Sequence, residues 1–366
     1  MPPMRATRSA VLCLLAAATI LAGCGGSGSE GSGSGSAESA KSRPAPPKSE
    51  FPSAQGRTLR EVLNAATGGP SELVVSPAAS VFYTGGNRYP FGVFERDRTQ
   101  VSDAEVALYF AKAPTPKPGA KSKSGGKAST SGKSSAANPQ AQALDEPAIG
   151  PFPASIETLA TEPAFRAKTT VDDPDAAGVV YSTEVDFPSN GEWRIAALIK
   201  EGGKTTGTLL PSAIVGEFHS IPRPGQKAPL IHTPTPADVG GDLSKITTRI
   251  PPDTQNRVDY ADALGKEPIL LLFATPQFCQ SRVCGPVVDV AEQLKQEYGD
   301  KAAFIHMEIY KDNDPGKGVR SQVEAFHLPS EPWLFGINRK GVVSSVVEGA
   351  FGLELMTDVV KKVIAE

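Results

Sequence analysis

The chain has 366 residues, a formal net charge of −3, 39% hydrophobic residues and 21% charged residues. That length exceeds one ordinary domain, and the slightly acidic balance speaks against nucleic acid as a partner. Only four cysteines are present, Cys13, Cys24, Cys279 and Cys284, and the first two sit where an export signal would put them.

The N-terminus carries Arg5 and Arg8 and then an apolar stretch from Ala10 to Ala22. This is a basic n-region followed by an h-region too short for a comfortable membrane span. The segment ends Leu21-Ala22-Gly23-Cys24, which resembles a bacterial lipobox. The resemblance implies a signal peptide over 1–23, removal of Cys13 with it, and acylation of Cys24. The expected location is the cell membrane, lipid-anchored and facing the extracytoplasmic side. Each buried methylene contributes about 0.8 kcal/mol and one chain holds only weakly; a lipobox cysteine, by the same resemblance, carries more than one. Residues 24–53 are rich in Gly, Ser, Pro, Lys and Ala. They lack the apolar surface to offset ordering entropy and read as a flexible tether.

Residues 54–222 read as an all-β sandwich preceded by a short helix near Leu59–Ala66. Strands are predicted at Glu72–Ser76, Ser80–Tyr83, Pro90–Phe94, Val106–Phe110, Ala167–Val171, Val179–Phe187, Glu192–Lys200 and Ser212–Phe218. Several are β-branched or aromatic with partial alternation, and turn signals such as Ser189-Asn190-Gly191 and Asp172-Asp173-Pro174-Asp175 divide them. The hairpin Val179–Phe187 with Glu192–Ile195 resembles an immunoglobulin-like domain, with Trp193 as a core anchor. A low-complexity insertion over 113–148 interrupts the sandwich. Its lysines (Lys117, Lys121, Lys123, Lys127, Lys133) lie among Gly, Ser and Thr with no aromatic residues, as in a solvated loop. No metal-ligand or nucleophile constellation occurs in this half.

A Pro-rich hinge, Ile221-Pro222-Arg223-Pro224-Gly225, leads into residues 223–366. The continuous apolar run Ile269–Ala274 predicts a buried strand. A stripe of Val287, Val288, Val290, Ala291, Leu294 and Tyr298 predicts a helix. A second strand over Ala302–Ile309, a helix over Val319–Phe326, a hairpin of Pro332–Ile337 with Val342–Gly349, and a helix over Leu353–Ala365 follow. This order resembles the thioredoxin-like fold, in its thiol–disulfide oxidoreductase branch and the alkyl hydroperoxide reductase and thiol-specific antioxidant branch. Three segments carry the likeness: Gly225-Gln226-Lys227-Ala228-Pro229, Phe273-Ala274-Thr275-Pro276-Gln277-Phe278-Cys279, and Phe326-His327-Leu328-Pro329-Ser330-Glu331-Pro332-Trp333. It implies an α/β C-terminal domain in a multidomain chain, with Pro332 as a cis-proline at the substrate-binding edge beside Glu331.

A strand ending in a close cysteine pair before a helix is the sequence form of a thiol–disulfide site. Outside the cytoplasm such a pair can persist as a disulfide. Here four residues separate Cys279 from Cys284, where the usual motif has two. Within a regular helix, residues five apart rise about 7.5 Å and point about 140° apart, too far and too divergent to bond. Pro286 is expected at the first helical position, with Cys284 or Gly285 at the N-cap and Cys279 in the preceding loop. Arg282 between the cysteines is expected to lower a thiol pKa, and Glu331 to oppose it if close. The order of attack stays open: family order favours Cys279, while Cys284-Gly285-Pro286 mimics the front of the thioredoxin motif. His306 and His327 are expected to be structural.

The expected function is exchange of disulfides with exported protein thiols or a redox partner through Cys279 and Cys284, with no cofactor. Two alternatives remain. Ser281-Arg282-Val283-Cys284 resembles the Thr-x-x-Cys of peroxiredoxins, which implies peroxide reduction. Two nearby cysteines and a later histidine, His327, also resemble a Sco-like copper(I) chaperone without catalysis, since soft thiolates suit copper(I).

Overall fold

The structure, a computed structural model, describes residues 41–114, 143–279 and 281–366. Cys13, Cys24, the expected signal peptide and the five lysines of the insertion lie outside the described residues.

Helix α1 (Leu59–Asn64) starts behind a capping box. Thr58 caps the backbone of Glu61, and the Glu61 carboxylate returns to the Thr58 N–H. Eight strands follow: β1 (Val74–Pro77), β2 (Gly85–Phe94), β3 (Glu105–Lys112), β4 (Ala148–Pro153), β5 (Ser155–Thr158), β6 (Val179–Phe187), β7 (Gly191–Glu201) and β8 (Lys204–Val215). They form two antiparallel four-stranded sheets, ordered β1-β2-β6-β5 and β4-β3-β7-β8. The alternation in β6 turns Tyr181, Val185 and Phe187 inward against Phe110, Trp193 and Ile195. Trp193 anchors this core as expected, its ring 5.5 Å from that of Phe187 and its indole N–H donating to the Ser189 carbonyl at 3.1 Å.

Several local expectations are corrected. Ala167–Val171 is not a strand: Lys168–Val171 forms the short helix α2, with the Thr170 and Val171 amides donating to the Ala167 carbonyl. The Ala167 and Lys168 amides go instead to Asp289 Oδ2 and the Ile250 carbonyl. Ser80–Tyr83 makes only an isolated bridge, Phe82 to Val215, because the Ser80 and Val81 amides go to the Glu348 carboxylate instead. Strands β4 and β5 were hidden by prolines and by the insertion they adjoin. The end of the expected tether also packs: Arg43 exchanges backbone hydrogen bonds with Ile156, and Phe51 is buried beside Leu59, Val62 and Tyr109.

The C-terminal half begins with helix α3 (Tyr260–Ala263) and continues β9 (Ile269–Phe273), α4 (Cys284–Tyr298), β10 (Ala303–Met307), α5 (Ser321–Ala325), β11 (Trp333–Ile337), β12 (Val343–Glu348) and α6 (Leu353–Ala365). Its sheet runs β10-β9-β11-β12, with β10 parallel to β9 and the other pairs antiparallel. The apolar run of β9 places it inside the sheet, buried at every position. Helices α4 and α6 cover one face through Val287, Ala291, Val360 and Val363. Tyr260, Val323 and Phe326 cover the other. Element order and strand directions are those expected of a thioredoxin-like fold.

The sandwich shares this core. Leu159, Ala177 and Val180 belong to the cluster that α4 and α6 form. The Glu348 carboxylate at the end of β12 accepts from the Ser80 amide (2.8 Å) and hydroxyl (2.9 Å), the Val81 amide (2.9 Å) and the Ser330 hydroxyl (2.6 Å).

Candidate redox site at the head of helix α4

Strand β9 ends at Phe273, and residues 274–279 and 281–283 loop out before α4 begins. The helix starts at Cys284, with Val283 as N-cap. This corrects the expected start: Pro286 stands at the third helical position. Proline is tolerated there because the first four helical N–H groups have no intrahelical acceptor. Val283 supplies no side-chain cap, and the vacancy at the helix head is filled by sulfur. The Cys284 N–H donates to Cys279 Sγ at 3.3 Å, and the Ser281 hydroxyl lies 3.2 Å from the same atom.

Cys279 and Cys284 form a disulfide with Cα atoms 5.9 Å apart, inside the range such a bond requires. A loop-bridged pair at a helix N-terminus is what the four-residue spacing called for. The two sulfurs differ in surroundings: Cys284 is 0% exposed, while Cys279 is only partly buried.

Arg282 takes a left-handed backbone (φ 60°). Its guanidinium forms an ion pair with Asp175 of the sandwich, and its carbonyl accepts from the Ala177 amide at 3.1 Å. The cation expected to act on the cysteines is therefore partnered by a carboxylate. The contact helps hold the redox loop against the segment between α2 and β6. That segment sits close on the helix head, since a methyl group on Gly285 would approach Thr170 Oγ1 to 2.9 Å. A groove of about 440 Å³ opens at this junction, lined among others by Val74, Phe94, Arg98, Val180, Ser281 and Arg282.

The Glu331–Pro332 peptide bond is cis. Trp333 pairs with Phe273, so Pro332 falls beside Ala274, where β9 gives way to the Cys279 loop. Burial pushes the Glu331 carboxyl above its usual range. The Tyr310 phenol is likewise raised by burial first and then by the charges of Glu331 and Glu308. The Tyr310 ring stands edge-on to Phe278, 6.3 Å away. His327 has a left-handed backbone (φ 54°) in the turn after α5.

Beneath the loop lies a buried polar layer that the sequence reading missed. Asp253 Oδ2 meets His306 Nδ1 at 2.9 Å, and His306 Nε2 meets the Ala274 carbonyl at 3.1 Å. Burial alone would push His306 down, but the charge and hydrogen bond of Asp253 prevail and raise it to about 9. Burial would raise Asp253, and the charge of His306 brings it instead to about 2. Arg249 Nε donates to Asp289 Oδ1 at 2.9 Å, while its other nitrogens reach the Pro251 and Phe165 carbonyls. The visible signal was a histidine and a glutamate, His306 and Glu308, at alternate positions of an apolar strand run. Both therefore point to one buried face.

Among the described residues, no group of three or more His, Cys, Asp or Glu is placed to hold a metal ion, and no helix is long and apolar enough to cross a membrane.

No protein-family model matches the chain, and no curated protein matches it. Several solved structures resemble part of it, among them two thiol:disulfide interchange proteins. One is a putative thiol:disulfide interchange protein DsbE from Chlorobium tepidum, 16% identical, covering 39% of this chain and 99% of its own, with a TM-score of 0.29. The other is a thiol:disulfide interchange protein of the thioredoxin family from Chlorobium tepidum TLS, 16% identical, covering 39% and 97%, with a TM-score of 0.28.

Proposed function

We propose that this protein is a thiol–disulfide oxidoreductase in which Cys279 is the exchanging sulfur and Cys284 the resolving one. One observation carries the reading. The partly exposed Cys279 Sγ faces a helix N-terminal N–H and a hydroxyl, while Cys284 is shut away from solvent. Donors aimed at a sulfur, at the positive end of a helix, favour its thiolate.

Starting from the disulfide, a partner thiolate attacks Cys279 Sγ. The Cys279–Cys284 bond breaks, and Cys284 leaves as a thiolate that takes a proton. A second partner thiolate attacks the partner sulfur of the mixed disulfide, and Cys279 leaves as the thiolate. The partner gains a disulfide, and the protein gains two electrons and ends as a dithiol. Run backward, the same steps reduce a partner disulfide, and either direction needs a second disulfide or dithiol to reset the pair. Pro332 and Glu331 would form the edge against which the partner lies. Arg282, paired with Asp175, would tune the thiol less than the helix head and Ser281 do. Acylated Cys24 would hold the protein at the outer face of the membrane, where its partners are exported proteins.

The test is mass spectrometry of the protein equilibrated with a model protein disulfide. Cys284→Ser should accumulate a mixed disulfide at Cys279, and Cys279→Ser should accumulate none. A wild-type pair that stays fully oxidised in excess reductant under native conditions would refute the function and leave a structural staple.

A further inference from the structure

Three consecutive side chains, Thr247, Thr248 and Arg249, turn inward beneath the redox loop, and each ends on a different carboxylate. Thr247 Oγ1 donates to Asp253 at 2.7 Å, and Arg249 Nε donates to Asp289 at 2.9 Å. Thr248 gives both its amide (2.6 Å) and its hydroxyl (2.5 Å) to Glu308 Oε1. Of these three, Thr248 reaches the cysteine loop: its Oγ1 also accepts from the Gln277 amide at 3.2 Å. Gln277 lies two residues before Cys279. At the other end of the same short span, His306 Nε2 holds the Ala274 carbonyl at 3.1 Å. The stretch Ala274–Gln277, which delivers Cys279 from the sheet, is thus pinned at both ends from below.

Glu308 is 0% exposed, and its second oxygen, Oε2, has no hydrogen-bond partner among the described residues. A half-satisfied buried carboxylate is unfavourable for stability alone, because a buried charge needs its lone pairs satisfied. The Thr248 hydroxyl donates its one proton to Glu308, which leaves its lone pairs free for the Gln277 amide. The acid therefore fixes which way the hydroxyl points. We infer that Thr248, oriented by Glu308, is the positioning residue that sets the geometry of the redox loop and through it the reactivity of Cys279. This rests on the thiol–disulfide reading and extends it to residues outside the motif.

The test compares Thr248→Val and Thr248→Ser in the full protein. Two quantities are read: the equilibrium between disulfide and dithiol forms in dithiothreitol mixtures, and the alkylation rate of Cys279 after reduction. Val keeps the shape and loses the hydroxyl, so the equilibrium constant should shift at least fivefold and alkylation should change with it. Ser keeps the hydroxyl and should stay within twofold of wild type. Should the Val variant fail to fold, Thr248→Ala against Thr248→Ser makes the same comparison. A hydroxyl-free variant that melts earlier but keeps both wild-type values would overturn the positioning role. Failure of the wild type to turn over protein disulfides would count against the function itself, and the equilibrium comparison could still be read.

Discussion

Replacing Arg249 by Met should reveal how strongly the buried layer depends on its charges. The guanidinium holds Asp289 at 2.9 Å, with side chains only 6% and 2% exposed. It also caps the carbonyls of Phe165 and Pro251. Met keeps the length and apolar stem but leaves Asp289 with the Ala167 amide, 3.1 Å away. Removing one partner of a buried pair costs about 3–5 kcal/mol. The conversion is about 2–4 °C per kcal/mol at roughly 150–250 residues and smaller for a longer chain, so the melting temperature should fall by several degrees. The loss should depend on pH. Burial already holds the Asp289 carboxyl above its usual range, against the pull of Arg249. Without Arg249 its folded pKa rises further above the unfolded one, so the folded state binds the extra proton. Stability of the variant therefore increases as pH falls. Urea unfolding at pH 8 and pH 5 should show a larger deficit at pH 8, and Arg249→Met with Asp289→Asn should recover part of it. A loss below about 1 kcal/mol, a small fraction of the 3–5 kcal/mol expected for a broken buried pair, would refute the argument. So would a deficit equal at both pH values.

The buried His306–Asp253 pair sets an alkaline limit. Because His306 sits at about 9 when folded, above the ordinary histidine value of about 6.5, its stabilisation is complete below about pH 6.5. It is lost as pH rises through 9, a decline of roughly 3 kcal/mol at most. Asp253→Asn should lack that alkaline decline in unfolding free energy between pH 6 and 10; an identical decline in the variant would assign it elsewhere. Ser281→Ala removes one of the two donors facing Cys279 Sγ. A single hydrogen bond is worth about 1 kcal/mol, so alkylation of reduced Cys279 at neutral pH should slow severalfold. An unchanged rate would show that the helix N-terminus alone governs the thiolate.

Legibility followed the range of the interactions. Strand β9 was readable because Ile269–Phe273 is apolar throughout, and α4 because Val287, Val290, Ala291 and Leu294 recur on one face. The head of α4 was misplaced by two residues, since Pro286 suits either the first or the third position. The pairing of Cys279 with Cys284 was anticipated from the strand before it and Pro286 after it, yet the donors that surround Cys279 depend on how the loop curls. The layer of Thr248, Arg249 and Asp253 was invisible. These residues have no apolar period, and their partners lie across the fold, as Arg249 with Asp289 and Thr248 with Glu308. Polar residues in a proline-bearing stretch read as a surface loop until the acids that receive them are located.

The sandwich grips the chemistry from two sides. Asp175 and Ala177 hold Arg282 in the cysteine loop, and Ser80 and Val81 share the Glu348 carboxylate with Ser330, two residues before the cis-proline. The C-terminal half is consequently not a portable module. Severed at Pro222, it would leave Glu348 short of three donors and bare the apolar seat of Leu159 and Val180. Substitutions far from any sulfur, in the β half, can therefore shift how the cysteine loop is seated.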